Sequence, residues 1–135
     1  MSTLKRLMAS VPALALMAGC ATGSHVLSPA PTREQFLQYA GPPIEGFTYL
    51  GHYDGFRTLG GNEVLIWTTI NDAYLIKVLD PCPELPFARK VELTSSSRTV
   101  TRQFDWVIVA HDRCHIDTIR HIDYGAMKRS GIAGP

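Results

Sequence analysis

Two apolar runs, EVLIWT at 63–68 and AYLIKVL at 73–79, decide the fold of this chain. Asn71 and Asp72 lie between them, and these residue types favour tight turns. Each run has apolar residues at odd and at even positions, which is typical of strands that are covered on both faces. We therefore expect an antiparallel pair, buried as in a small barrel or in a sheet with a helix laid over it.

Shorter strands flank this pair on both sides. They are rich in β-branched or aromatic residues and end in turn sequences such as Asp54-Gly55 and Gly60-Gly61-Asn62. The further predicted strands span residues 47–53, 56–59, 91–95, 99–104, 106–110 and 114–122. In the last of them, the spacing of Ile116, Ile119 and Ile122 breaks strict alternation, which indicates a β-bulge.

One short helix precedes the strands. Thr32 and Gln35 form a capping-box pattern, and Gly41 with the two prolines after it stops the helix. The tail at 124–129 is expected to add one helical turn. The fold class we predict is α+β: a single small domain, residues 32–130, that is mostly an antiparallel β-meander curling toward a small barrel, with a short N-terminal helix.

The first twenty residues have the three zones of a secretory signal peptide. Lys5 and Arg6 are followed by a mainly apolar stretch at 7–18 and then by Ala18-Gly19-Cys20. The apolar stretch is about half as long as the roughly 20 residues that a membrane-spanning helix needs. The ending Leu16-Met17-Ala18-Gly19-Cys20 resembles the bacterial lipobox, whose cysteine receives a diacylglycerol and becomes the new N-terminus after cleavage.

This interpretation divides the chain into a signal peptide at 1–19, a lipidated Cys20 with a flexible spacer at 20–31, and the domain from residue 32. The alternative is an ordinary signal peptide, which leaves Cys20 as an odd, exposed thiol. In many Gram-negative bacteria an aspartate after the lipidated cysteine retains a lipoprotein at the inner membrane. Because Ala21 stands there, we expect a lipid anchor in the cell envelope, at the periplasmic face of the outer membrane.

The chain has 3 cysteines, so lipidation of Cys20 leaves one pair, Cys82 and Cys114. Export places that pair where disulfides persist, and a bridge between them stabilises the fold by roughly 3 to 4 kcal/mol on the chain-entropy model. The alternative is free or metal-bound cysteines. It has less support because the chain lacks a Cys-x-x-Cys pair, and two cysteines do not fill a tetrahedral zinc site.

Net charge excludes one class of partner. Without Lys5 and Arg6, 11 of the 13 basic side chains remain, against 12 acidic ones. Proteins that bind nucleic acid electrostatically carry a clustered basic excess, so we expect no nucleic-acid partner. Near neutrality also argues against electrostatic adhesion to anionic membranes, and the expected membrane contact therefore depends on the lipid.

Several short motifs, in order along residues 47–128, resemble one family. They are Phe47-x-Tyr49, Gly55-Phe56, Val64-x-Ile66-Trp67-Thr68, Asn71-x-Ala73-Tyr74-Leu75, Pro81-Cys82-Pro83-x-Leu85, Leu93-Thr94-Ser95-Ser96, Phe104-Asp105 and Cys114-x-Ile116-x-x-Ile119-Arg120-x-x-Asp123. The chain is similar in these to the DUF6491 family, small proteobacterial lipoproteins of unknown function. His121 departs from it, since proline is common there. The resemblance implies an exported, disulfide-bonded domain, and it implies neither a reaction nor a ligand.

The densest polar cluster lies near the end of the chain. On a regular strand, four of its side chains would point to one side and offer imidazoles and carboxylates to a divalent metal. These candidate ligands are His115, Asp117, His121 and Asp123. The alternative is that these polar residues form the solvent-exposed face of an edge strand, whose alternation the expected bulge interrupts.

Catalytic patterns are weak. Ser95, Ser96 or Ser97 could pair with a histidine and an aspartate for nucleophilic catalysis, but the chain has no Gly-x-Ser-x-Gly elbow. Gly60-Gly61-Asn62 is better explained as a turn than as a phosphate-binding loop. We therefore expect no enzyme activity and no cofactor.

Other residues admit a structural or a binding role. Arg120 is expected to pair with Asp105 or Asp123, and the alternative is a grip on a ligand. Trp67 and Trp106 each lie within an apolar run, so we expect core aromatics and not a binding platform. Three aromatics near a turn are better candidates for an exposed patch: Tyr49, Tyr53 and Phe56.

The function that this sequence predicts is a non-enzymatic binding or accessory domain in the cell envelope. It would be held at the membrane by its lipid and would act through an envelope protein partner. The alternative is a small-ligand or metal-binding periplasmic domain that uses residues 115–123 or the mouth of the barrel.

Overall fold

The computed structural model describes residues 29–132. The predicted signal peptide, Cys20 and most of the spacer at 20–31 therefore lie outside the described residues. The described elements are, in chain order, α1 (Arg33–Gln38), β1 (Ala40–Ile44), β2 (Gly46–Thr48), β3 (Gly55–Thr58), β4 (Glu63–Trp67), β5 (Asp72–Val78), a 3-10 turn (Leu85–Phe87), β6 (Glu92–Leu93), β7 (Thr99–Thr101), β8 (Trp106–Val109), β9 (Asp112–Asp123) and α2 (Tyr124–Arg129).

Seven strands form one antiparallel sheet: six lie in the order β3-β4-β5-β9-β8-β6, and the seventh, β1, pairs with β9 beside this path. The long strand β9 pairs with β5 along one edge; along the other it pairs first with β8 and then with β1. Strands β2 and β7 form a separate two-stranded ribbon. The predicted antiparallel sheet is confirmed, and it curls into a half-barrel. The predicted meander holds only for β3 to β5, because the distant strand β9 lies next to β5.

Strands β4 and β5 separate two hydrophobic cores, as their apolar residues on both faces predict. Val64 and Ile66 enter an inner core, while Leu65 and Trp67 enter an outer core. The buried inner core comprises Phe47, Tyr49, Val64, Ile66, Ile76, Val78, Cys82, Leu85, Val91, Val100, Val107, Val109, Cys114, Ile116 and Ile119. The buried outer core comprises Phe36, Leu65, Trp67, Ala73, Leu75, Ile122, Tyr124 and Met127.

Helix α1 contributes Phe36 to the outer core and begins with a capping box. The Thr32 hydroxyl accepts a hydrogen bond from the Gln35 amide at 3.3 Å, and the Gln35 side-chain oxygen accepts one from the Thr32 amide at 2.8 Å. These contacts satisfy two amide groups at the start of the helix, which have no acceptor within the helix itself.

Helix α2 corrects the fold class, which named a short helix at the N-terminal end alone. Asp123, at the end of β9, accepts a hydrogen bond from the Ala126 amide at 2.8 Å and so caps the helix. Tyr124 and Met127 lie three residues apart and are both buried in the outer core, with Tyr124 edge-on to Trp67. Neither helix of the described part is long and apolar enough to cross a membrane.

The expected bulge is present in β9. Lys77 of β5 lies opposite Thr118, while the next residue, Val78, lies opposite Ile116, so Asp117 is the extra residue. Because of this insertion, Ile116 and Ile119 both enter the inner core although they are three residues apart.

Strand β1 contains Pro42 and Pro43, which the sequence suggested only as a stop for the helix. The strand pairs with β9 through Ala40 opposite Ile122 and Pro43 opposite Arg120, with an irregular register between them. Proline lacks an amide hydrogen, so it is tolerated in a sheet only at an edge or a bulge. Both prolines are exposed, as an edge position requires.

The cysteines that the sequence paired lie at disulfide distance. The Cα atoms of Cys82 and Cys114 are 5.8 Å apart, and both side chains are buried in the inner core. The bridge ties the proline-rich segment around Cys82 to the first residues of β9. Leu85 and Val91 of the same segment are also buried in this core, so the segment covers the inner core without continuing a strand.

Asp105 is the one buried charged residue of residues 29–132, with 2% of its surface exposed. Its carboxylate accepts hydrogen bonds from the Thr94 hydroxyl at 2.8 Å, the Thr101 amide at 2.7 Å and the Thr101 hydroxyl at 3.0 Å. The Thr94 oxygen in turn accepts a hydrogen bond from the Trp106 amide at 2.8 Å. Asp105 thus links three chain segments without a cationic partner, and the expected pairing with Arg120 is wrong.

We predict that Asp105→Ala lowers the free energy of unfolding by about 3 kcal/mol, because it leaves buried donors without an acceptor. Urea denaturation followed by tryptophan fluorescence measures the loss. Asp54→Ala is the matched control, since Asp54 is exposed, and it should change stability by less than about 0.5 kcal/mol. Equal effects of the two substitutions would contradict the role given to the Asp105 hydrogen bonds.

Candidate functional site

The bulge separates the predicted metal ligands. His115 lies between Cys114 and Ile116, which both enter the inner core, so its side chain is on the opposite face. His121 is two residues beyond Ile119 and lies on the inner face. The two histidines therefore lie on opposite faces, as the alternative with a bulge predicted, because Asp117 inverts the alternation between them.

Three of the four candidate ligands form hydrogen bonds of their own. His115 Nε2 forms a hydrogen bond with the Gln103 carbonyl at 3.1 Å, and His121 Nε2 forms one with Asp72 Oδ1 at 3.2 Å. Asp123 caps α2. Among the described residues, none of the four candidates belongs to a cluster of at least three converging metal-ligand atoms.

One cluster of metal-ligand residue types does converge among residues 29–132. Cys82, Asp112 and Cys114 place their ligand-type atoms within 4.8 Å of one another. The two sulfur atoms are at disulfide distance, and Asp112 Oδ2 accepts a hydrogen bond from the Glu84 amide at 3.0 Å. Sulfur in a disulfide is not a thiolate ligand, so this cluster belongs to the covalent bridge.

The aromatic residues lie differently from the expected arrangement. Trp67 is a core residue as predicted, whereas Trp106 is half-buried on the face that carries His115. Tyr49 is buried in the inner core, and Tyr53 donates a hydrogen bond to the Val91 carbonyl at 2.6 Å. Tyr49, Tyr53 and the half-buried Phe56 thus do not form an exposed patch, because their loop packs against the segment before β6.

Turn geometry accounts for the sequences that suggested catalytic loops. Gly60 and Gly61 adopt positive φ values of 88° and 55° between β3 and β4, as expected of a tight turn. The Ser96 and Thr99 backbones exchange hydrogen bonds of 3.0 and 2.9 Å, and Ser97 has a positive φ of 51°. The serines at 95–97 therefore fit the predicted hairpin turn.

A charged groove lies between α1 and the outer face of β4, β5 and β9. Its volume is about 480 Å³, within the range of roughly 300 to 1,000 Å³ that is usual for small-molecule sites. We define the charged groove by its polar lining residues, Arg33, Glu63, Lys77, Asp117, Thr118 and Arg120.

The bulge determines which side chains of β9 line this groove. After the extra residue, Thr118, Arg120 and Ile122 alternate toward the outer face, opposite Lys77, Leu75 and Ala73 of β5. The segment that the sequence suggested as a ligand site does line a groove, but it does so with Asp117, Thr118 and Arg120 in place of the histidines.

A paired arginine and glutamate form one end of the groove. Arg33 Nη2 donates to Glu63 Oε1 at 2.8 Å, and Arg33 Nε donates to Glu63 Oε2. The hydrogen bond from Arg33 is the main cause that lowers the pKa of Glu63, and the charges of Arg33, Lys77 and Arg120 lower it further against the effect of burial. The same hydrogen bond raises the pKa of Arg33.

Lys77 and Arg120, the other two cations of the groove, form no ion pair with a carboxylate among residues 29–132. Within residues 29–132, no carboxylate oxygen lies within 4.0 Å of a side-chain nitrogen of Lys77 or Arg120. Arg120 Nη1 donates to the Gly41 carbonyl at 3.3 Å. The expected ion pair of Arg120 with Asp123 is therefore wrong, as is the one with Asp105, because β9 directs Arg120 toward α1 and β1.

Three of the groove residues, Arg33, Glu63 and Lys77, were not among the residues that the sequence suggested for a site. The predicted helix and strands contain them, and the predicted bulge could have placed Thr118 and Arg120 on one face. No sequence signal indicates which part of the sheet the six-residue helix α1 covers, and that contact forms the groove.

We predict that Glu63→Gln lowers the unfolding midpoint at pH 7 and that the difference from the native chain shrinks as the pH falls well below 4.5. A carboxylate whose pKa is lower in the folded state stabilises it when ionised, and that stabilisation is lost on protonation. Thermal unfolding between pH 3 and 7 measures the difference. Glu84→Gln is the control, since Glu84 is exposed; a Glu63→Gln deficit that stays constant with pH would contradict the assignment.

The comparisons with known proteins identify the family. The model of a family of unknown function, DUF6491, matches residues 3–133. No curated protein and no solved structure matches the chain. Because the match covers nearly the whole sequence, including both cysteines of the bridge and all residues of the charged groove, the chain belongs to the DUF6491 family.

Proposed function

We propose that this protein is an exported bacterial lipoprotein whose folded domain is a non-enzymatic binding or accessory module in the cell envelope. The observation that carries the proposal is the N-terminal sequence, a basic and apolar stretch that ends in Leu16-Met17-Ala18-Gly19-Cys20. This stretch is too short to span a bilayer and matches the order of a cleavable signal followed by a lipidated cysteine.

The cysteine pairing supports the proposal independently of the signal sequence. Cys82 and Cys114 lie at disulfide distance, and disulfides persist in exported proteins. Pairing these two of the 3 cysteines leaves Cys20, and a thioether to a diacylglycerol gives that residue a stable state in an oxidising compartment. Ala21, in place of aspartate, favours the outer membrane, with the domain facing the periplasm.

The charged groove supports a binding role in preference to catalysis. Its polar lining consists of three cations, two carboxylates and one hydroxyl, and Glu63 is already hydrogen-bonded to Arg33. General acid–base catalysis requires a group whose pKa lies near the working pH, whereas the pKa of Glu63 is lowered. Fixed charges beside an apolar wall suit the recognition of a ligand.

We predict that Cys20→Ala moves the protein from the membrane fraction to the soluble periplasmic fraction. Each buried methylene of an attached acyl chain contributes about 0.8 kcal/mol to membrane binding, so loss of the lipid removes the anchor. Immunoblots of fractionated cells measure the distribution. Ser24→Ala, in the same spacer, should leave the protein in the membrane fraction, and an unchanged distribution of Cys20→Ala would refute lipid anchoring at this residue.

We also predict that cross-linking in intact cells at native expression traps the protein with a second envelope protein. Amine- and carboxyl-reactive reagents are both suitable, since the described domain exposes both kinds of group. Mass spectrometry of the cross-linked species identifies the partner. Recovery of monomer alone with several reagents would contradict a stable protein partner.

A further inference from the structure

We propose that the charged groove binds a small amphiphilic carboxylate, with its anionic group between Lys77, Thr118 and Arg120. This inference rests on the binding role proposed above and does not depend on the lipid anchor. It names a ligand class for a site that lies outside the predicted histidine cluster.

The cations are arranged to share one anionic group. Lys77 lies directly opposite Thr118, and Arg120 lies opposite Leu75 on the same face. Lys77 and Arg120 are therefore diagonal neighbours, whose Cα atoms are typically about 7 to 8 Å apart. Their long side chains can both reach a carboxylate placed over the Thr118 hydroxyl, which lines the same groove.

The remaining charges of the groove favour a monoanion. Arg33 and Glu63 neutralise each other through paired hydrogen bonds. Asp117 is the only other carboxylate in the lining of the groove and offsets one of the two charges of Lys77 and Arg120, which leaves one positive charge for the ligand to neutralise. A carboxylate matches that charge, whereas a dianionic phosphate would leave excess negative charge beside Asp117, an unfavourable contact in a partly enclosed site.

Apolar side chains provide the surface for the rest of the ligand. Leu75 is 4% exposed and forms part of the groove wall, and the half-buried Leu37 of α1 lines it from the helix side. A short acyl chain attached to the carboxylate can therefore lie against Leu37 and Leu75, where removal of its methylenes from water favours binding.

The test uses octanoate as the probe and the full-length chain carrying Cys20→Ala, so that membranes and detergent do not compete for the probe. Amide chemical shifts are recorded by NMR during titration with octanoate, with 1-octanol and with inorganic phosphate. We expect saturable shifts with octanoate that concentrate in α1, β5 and the second half of β9. Octanol and phosphate should bind at least 10-fold more weakly, because octanol lacks the anionic group and phosphate lacks the acyl chain.

Two variants assign the binding to the cations. The double variant Lys77→Gln, Arg120→Gln should weaken octanoate binding at least 10-fold, and Arg89→Gln, an exposed control, should not. Lys77→Gln alone is the safeguard if the double variant fails to fold, since Lys77 is exposed; it should weaken binding about 3-fold or more. The proposal is overturned if octanoate shifts do not saturate, map to another surface, or persist unchanged in these variants.

The outcomes separate this inference from the proposed function. If octanoate fails to bind while cross-linking recovers an envelope partner, the ligand class is wrong and the accessory role stands. If phosphate binds as tightly as octanoate, the argument from a single net charge is wrong, and the carboxylate is rejected as the ligand.

Discussion

A single extra residue in the longest strand determines how this domain is arranged. Strand β9 lies next to three other strands, and Asp117 shifts its alternation by one position halfway along. Before the bulge, β9 contributes Cys114 and Ile116 to the inner core; after it, Ile119 enters that core and Ile122 the outer one. One insertion thus lets the same strand hold the disulfide at its start and present Thr118 and Arg120 to α1 near its end.

The two cores lie on opposite faces of one sheet, and each must be shielded from water by other segments. Different segments of the chain do this for each core. The outer core is closed by two short helices, neither of which is stable alone at six residues. The inner core is closed by the β2–β7 ribbon and by the proline-rich segment that Cys82 ties to β9. Hydrogen bonds around Asp105 hold the ribbon to the sheet. In a closed barrel, further strands would cover the inner core; here the buried carboxylate and the disulfide hold its cover in place.

Local patterns predicted the elements, and long-range packing decided the site. Some features could be predicted because each depends on neighbours in sequence: the runs at 63–68 and 73–79, the capping box at Thr32 and the bulge. Strand β1 could not be predicted in this way, since proline disfavours strands and only the edge position of β1 allows Pro42 and Pro43. The partners of Arg120 and Asp105 were predicted wrongly for a related reason: charge suggests an ion pair, but a carboxylate can be satisfied by hydroxyl and amide donors from segments brought together by folding.

The prolines of β1 also bear on how copies of this protein behave toward one another. An unpaired strand edge is a template on which another chain can add a strand and begin a fibre. Pro42 and Pro43 remove two amide donors from β1, and the two end strands of the sheet are only four and two residues long. A sheet with such short or donor-poor margins resists edge-to-edge polymerisation, which allows the half-barrel to remain open without the aggregation that an open sheet otherwise invites.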